Sequence, residues 1–221
     1  MTPRASVLVV DPPWSFGDKL PGAGRGAAKH YGTLSPAEIC AFPLPPLERD
    51  CVLFLWRVAS QVREANAVIS AWGFEPTGGE LKWVKLTPAS AGCVLVRDPL
   101  VSEEEFEAAM ASLPKAARKV VERLTGKMHF GMGRTVRNSD EVCVIARRGK
   151  PVIRGASERS VFFAPMPTTE EGRARHSAKP QRFYDLVERI TEGPIVELFA
   201  RRHQPGPRWT CFGNELEHAA P

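Results

Sequence analysis

The chain has 221 residues, 43% hydrophobic and 25% charged; that length and balance suit one α/β domain with a substantial core and exclude a fibrous or disordered chain. Its formal charge of +5 permits a polyanionic partner without requiring one. The five cysteines, Cys40, Cys51, Cys93, Cys143 and Cys211, are odd in number and scattered, so neither a disulfide framework nor a metal site is expected. No signal peptide or bilayer-length apolar run is present, so the expected location is cytoplasmic, away from membranes.

The first apolar run, Val7 to Val10, is β-branched and stopped by Asp11-Pro12-Pro13, which predicts a buried strand ending in a sharp turn. Residues 15–32 are rich in glycine and basic side chains and read as a loop. Ser35-Pro36-Ala37-Glu38 is a helix start, with Ser35 as N-cap, Pro36 in the first turn and Glu38 closing a capping box. Cys51 to Trp56 predicts a second buried strand, and the 3.6-residue spacing from Val62 to Trp72 a helix ending at Gly73. Further strands are expected at Glu80 to Leu86 and Glu141 to Ala146. Glu103 to Leu124 reads as helical with a break at Pro114, within an insertion spanning about 87–129. Lys179 to Ile190 places Phe183, Leu186, Val187 and Ile190 on one helix face, and a strand follows from Ile195 to Phe199. Such alternation implies an α/β fold, a mostly parallel sheet with helices on both faces. Ligands of such sheets gather beyond the carboxyl ends of the strands, where Asp11-Pro12-Pro13-Trp14 and Ala200-Arg201-Arg202-His203 both fall.

The first of these clusters suits chemistry on an exocyclic amino group. The lone pair of an adenine amino group is delocalised into the ring, so a catalyst must hold its hydrogens where the lone pair can point at a methyl donor. The Asp11 carboxylate and the Pro12 carbonyl each offer an acceptor, Pro13 stiffens the turn, and Trp14 offers a flat wall for a base. The plainer reading of the same residues is a rigid turn with a core tryptophan. From Arg134 to Arg208 the chain carries an excess of about six basic residues, which suits phosphates or a solvated surface equally.

Val7-Leu8-Val9-Val10-Asp11-Pro12-Pro13-Trp14, His176-Ser177-Ala178-Lys179-Pro180, and Glu197-Leu198-Phe199-Ala200-Arg201 running on to Trp209 and Gly213-Asn214-Glu215 together resemble the MT-A70 family of adenine-N6 methyltransferases. The likeness runs from Val7 to Glu215, with three motifs in order. It implies a Rossmann-like class I methyltransferase fold in permuted order, one domain over 1–221, with the catalytic strand early and the donor-binding strand late. By that likeness S-adenosyl-L-methionine is the cofactor and Asp11 and Pro12 hold the target amino group. Lys179 meets the donor's carboxylate, Arg201 and His203 its carboxylate or ribose, and Asn214 with Glu215 its ribose and adenine; Asp11 and Gln204 also border the donor. Gln204 is a longer amide than the asparagine of some relatives. Read without the likeness, Lys179-Pro180 is a helix cap and Arg201 to His203 a solvated basic loop.

On the acceptor side, His30 and Tyr31 in the first loop and Arg134 in the basic, glycine-bearing segment 127–138 are candidates to touch the target. DNA is the expected substrate and RNA adenosine the alternative within the same chemistry. A base in a duplex must then be flipped out or presented single-stranded. A catalytically silent nucleic-acid-binding subunit is the alternative from another class. The resemblance leaves self-association, or pairing with a related subunit, open.

Overall fold

The computed structural model describes residues 4–15, 32–87, 95–96, 102–126, 128–131, 135–155, 157–169, 172, 175, 178–214 and 216. These divide into two compact units, 1–82 with 141–160 and 185–221, and 83–140 with 161–184.

The first unit is built on a sheet in the order β3-β6-β2-β1-β8-β9. Its strands are β1 (Ala5–Val10), β2 (Leu47–Arg57), β3 (Glu75–Leu86), β6 (Asp140–Arg148), β8 (Ile195–Leu198) and β9 (Trp209–Phe212). β1 lies between β2 and β8 and runs parallel to both, and β8 is parallel to β9. β6 runs antiparallel to β2, so the sheet is mixed: parallel from β2 through β1 and β8 to β9, with β6 reversed against β2. Leu8 and Val10 of β1 and Leu53 and Leu55 of β2 join a core with Ile39, Ala65, Val68 and Ile69. Those last four come from α1 (Pro36–Cys40) and α2 (Val62–Ala71). Val7, Val9, Val52, Phe54 and Trp56, which point the other way by strand alternation, are buried as well, so both faces of the central strands are covered.

The local devices behind these elements are those the sequence announces. Ser35 accepts from the Glu38 N–H while the Glu38 carboxylate accepts from the Ser35 N–H. Hydrogen bonds from the Ser35 hydroxyl and from the Ser35 N–H to the Glu38 carboxylate hold that carboxyl below its ordinary pKa. α2 ends in a Schellman turn: Gly73 has φ +74° and the Phe74 N–H donates to Ile69 O, a geometry that favours glycine. α5 (Gln181–Ile190) buries Phe183, Leu186, Val187 and Ile190, and Lys179 and Pro180 precede it as its approach. The strand expected through Phe199 stops at Leu198, because Phe199 turns to φ +60°.

The second unit holds the end of β3, where the Trp83 indole N–H donates to Ala164 O of β7 (Val161–Pro165) at 2.9 Å. It also holds β4 (Leu95–Val96) paired with β5 (Thr125–Gly126), and the helices α3 (Glu103–Ser112) and α4 (Lys115–Leu124) between them. The break foreseen at Pro114 is present: Leu113 is extended at φ −79° and ψ 145°, the conformation that a following proline imposes. β7 and β9 were not anticipated. Each is a short strand of four or five residues whose partners are distant in sequence, so its pairing is a tertiary fact.

Candidate active site at the carboxyl ends of the parallel strands

Val10, Leu198 and Phe212 lie side by side in register across β1, β8 and β9. The next residues, Asp11, Phe199 and Gly213, therefore leave the sheet at one end, as the sequence predicts for Asp11. Beyond them is a cavity of about 620 Å³ that includes Pro13, Leu34, Phe42, Leu44, Phe199, Phe212 and Asn214 in its lining. That volume falls in the range of small-molecule sites, and apolar walls with few polar groups are their usual make-up.

The Asp11-Pro12-Pro13-Trp14 turn is fastened on several sides. The Trp14 N–H donates to Pro12 O at 2.8 Å, the Leu34 N–H to Pro13 O at 2.8 Å and the Ser15 N–H to Leu34 O at 3.0 Å. Buried Gln61 donates its amide to Ser15 O at 3.1 Å. Trp14 is 4% exposed, packs in the core, and donates its indole N–H to Trp56 O at 3.0 Å. It braces the turn from beneath, as the plainer sequence reading had it. Asp11 is half-buried and Pro12 buried. The Pro12 carbonyl spends one lone pair on Trp14 and keeps a second for another donor.

On the opposite wall the chain leaving β8 is strained. Phe199 at φ +60° occupies a region that bulky residues rarely enter, at a cost of roughly 1–2 kcal/mol. Two contacts hold it there. Its ring meets Phe42 at 4.7 Å between centroids. The Ala200 N–H donates to Phe212 O at 2.9 Å, and a Cβ on Gly213 would stand 2.0 Å from Ala200 O. Only glycine allows the β8 and β9 exits to approach so closely.

Arg201 and Arg202 are half-buried, His203 is exposed, and Gln204 is buried. The Gln204 amide nitrogen donates to the buried Glu197 carboxylate at 3.3 Å, and its carbonyl oxygen is buried without a hydrogen-bond partner. Cys211 places its thiol 3.7 Å from the same carboxylate. Burial, reinforced by that negative charge, pushes the thiol up to about 11.

The structure thus brings Pro13 and Asn214, drawn from two separate motifs, into one cavity, with Asp11 and Pro12 on the same turn. Lys179 lies in the second unit, 5% exposed. Four candidates, His30, Tyr31, Arg134 and Glu215, lie outside the described residues, as do His176 and Ser177. The walls supplied by Phe42, Leu44, Phe199 and Phe212 were not foreseen. Phe199 sits inside a motif the sequence had already marked, but its backbone angle is invisible there. Among the described residues there is no cluster able to hold a metal, and no helix is long and apolar enough to cross a membrane.

A sequence model of the family described as MT-A70 matches residues 5–129 and 119–215. The chain is 26% identical to the N(6)-adenosine-methyltransferase MT-A70-like protein of Drosophila melanogaster over 216 residues, 97% of this chain and 27% of that protein. It is 26% identical to the N(6)-adenosine-methyltransferase catalytic subunit METTL3 of Homo sapiens, over 97% of this chain and 28% of that protein. It is 24% identical to the Type II methyltransferase M.MunI of a Mycoplasma species, over 96% of this chain and 78% of that protein. The chain spans about a quarter of the length of the two animal relatives.

Proposed function

The chain belongs to the MT-A70 family, and on that premise we propose that it transfers a methyl group from S-adenosylmethionine to the N6 amino group of adenine in DNA. The observation that carries the reading is the cavity where Pro13 and Asn214 meet at the ends of β1 and β9. DNA is favoured because the match to the Mycoplasma type II methyltransferase extends over 78% of that protein. RNA adenosine, which the names of the animal relatives carry, is the second reading.

The residues present fit the methyl donor. Its adenine is a flat ring with polar edges and its ribose carries hydroxyls, and the cavity offers the Phe42, Phe199 and Phe212 rings together with the Asn214 amide. The buried, unpartnered Gln204 oxygen is a further polar atom that a ligand hydroxyl would satisfy. Arg201, His203 and Glu215 complete the first unit's set of donor-holding residues in this reading, and Lys179 keeps the role that the family resemblance implies. When bound, the donor supplies an electrophilic methyl group on a sulfonium.

The chain's own residues do the rest. Asp11 and the second lone pair of Pro12 O accept the two amino hydrogens, turning the nitrogen lone pair toward the donor. Methyl transfer would leave the amino nitrogen with a surplus proton, and in this reading the Asp11 carboxylate would receive it. Trp14 keeps this geometry by anchoring the turn to β2. His30, Tyr31 and Arg134 are assigned to the target strand.

The test is transfer of labelled methyl from S-adenosylmethionine to matched pools of DNA and RNA, followed by nucleoside analysis. N6-methyldeoxyadenosine is the expected product. Label in RNA alone would replace DNA with RNA as the acceptor, and failure to bind the donor would leave the silent subunit.

A further inference from the structure

Within the basic segment 127–138, at residues given no role above, the second unit holds an aromatic ring out in solvent. Phe130 is 74% exposed, yet the backbone beneath it is fastened. The His129 N–H donates to Lys85 O at 2.7 Å, the Lys85 N–H to Ser139 O at 2.7 Å, and the Gly131 N–H to Asn138 O at 3.1 Å. The Ser139 hydroxyl donates to His129 O at 2.7 Å. A Cβ on Gly131 would stand 2.3 Å from Asn138 O, so the two arms approach within a distance that only glycine permits. Phe130 is therefore presented on a braced pedestal. From the opposite arm Arg137 sets its guanidinium carbon 4.9 Å from the ring centroid.

A lone exposed aromatic would mean little. A ring with a guanidinium already over it is a different object: its π surface suits a nucleobase, and the cation both polarises the stack and suits a phosphate. The surrounding charge points the same way, since residues 127–138 include Lys127, Arg134 and Arg137 and no Asp or Glu. Among the described residues of this segment, Val136 is the one other exposed large hydrophobic residue, whereas a polyanion is complementary to the segment's charge.

We propose that Phe130 and Arg137 form a nucleic-acid contact in which Phe130 stacks on an unpaired base of the substrate strand and Arg137 meets a neighbouring phosphate. This rests on the nucleic-acid reading above and adds to it a residue pair outside the catalytic turn and the donor cavity.

The test measures binding of the full chain to a fluorescein-labelled single-stranded oligonucleotide of mixed sequence, by anisotropy over a range of salt concentrations. Phe130→Ala is expected to weaken binding roughly ten-fold, and Phe130→Trp to retain it. Arg137→Ala is expected to flatten the dependence of log K on log salt by about one charge. Because both side chains are exposed, donor binding and circular dichroism should match the wild type in all three variants. Wild-type affinity in Phe130→Ala and an unchanged salt slope in Arg137→Ala would overturn the contact while leaving the nucleic-acid reading in place. Absence of oligonucleotide binding by the wild type would remove both. A fall in sedimenting mass for Phe130→Ala with oligonucleotide affinity unchanged would make the ring a self-association contact and overturn the proposal.

Discussion

Asp11 follows a strand buried from Val7 to Val10 and stands at the head of a turn held by three backbone hydrogen bonds and the Gln61 amide. Its backbone is thus fixed by the scaffold, which under the proposed function leaves little reorganisation for binding a substrate. Asp11→Ala is expected to lower methyl transfer by at least about a hundred-fold while leaving the affinity for S-adenosylmethionine, measured by calorimetry, within a factor of a few; loss of both together would show that Asp11 shapes the pocket. Gly213 presents the opposite case, a position with no chemistry and no spare volume. Gly213→Ala drives a methyl group into Ala200 O and is expected to cost roughly 2–4 kcal/mol in denaturant unfolding, with donor affinity falling alongside. Phe199→Gly should separate strain from function: relief of the positive φ offsets part of the lost ring packing, so stability changes by less than about 1.5 kcal/mol while donor affinity drops. A large loss of stability with unchanged donor affinity would make Phe199 an ordinary packing residue.

Among the elements, α5 shows how a helix end is secured by a residue distant in sequence. Arg208 donates to Gly193 O at 2.9 Å, Glu188 O at 3.0 Å and Thr191 O at 2.9 Å. One planar guanidinium thereby satisfies carbonyls at and beyond the last turn that have no partner within the helix. Trp209 adds its indole N–H to the Glu188 carboxylate, and β9 begins at that residue. Arg208 therefore ties the helix before β8 to the strand after it. Arg208→Ala is expected to destabilise the protein by about 2–3 kcal/mol, read as a lower midpoint in urea. Arg208→Lys should recover little, because a single ammonium on a flexible stem cannot span three carbonyls set for a fork.

For the whole molecule, one buried and one half-buried thiol give the fold a dependence on alkaline pH. Burial pushes Cys51 up to about 12 and Cys211 up to about 11, above the values near 8.5–9 of an exposed thiol. Above pH 9 the unfolded chain releases these protons and the folded chain keeps them. The unfolded state then binds fewer protons, and the free energy of unfolding falls as pH rises. The stabilisation is fully present below about pH 9 and is lost toward pH 11–12. The melting temperature is expected to decline across that window, and the decline to be shallower in Cys51→Ala. An equal slope in the variant would place the alkaline sensitivity elsewhere.

Much of the fold was readable from local chemistry. The capping box at Ser35, the glycine that ends α2, the break at Pro114 and the apolar face of α5 each act within a few residues of chain, so the sequence by itself determined them. The same holds for the central strands β1, β2 and β8, whose short, largely apolar runs are satisfied by burial on both faces, and for the placement of Asp11 at a strand end. Tertiary structure alone decided the rest. β7 and β9 exist because an edge strand offers them unpaired backbone groups. β6 runs against β2, a direction that no periodicity records. Trp14 is legible as an aromatic beside the Asp-Pro-Pro turn, but its place in the core depends on Trp56, 42 residues away. The cavity depends in the same way on Phe42, Phe199 and Gly213 arriving together from three parts of the chain. A sequence fixes short-range geometry through sterics and hydrogen bonds between neighbours, whereas a cavity wall is made by residues whose only relation is their position in the packed sheet.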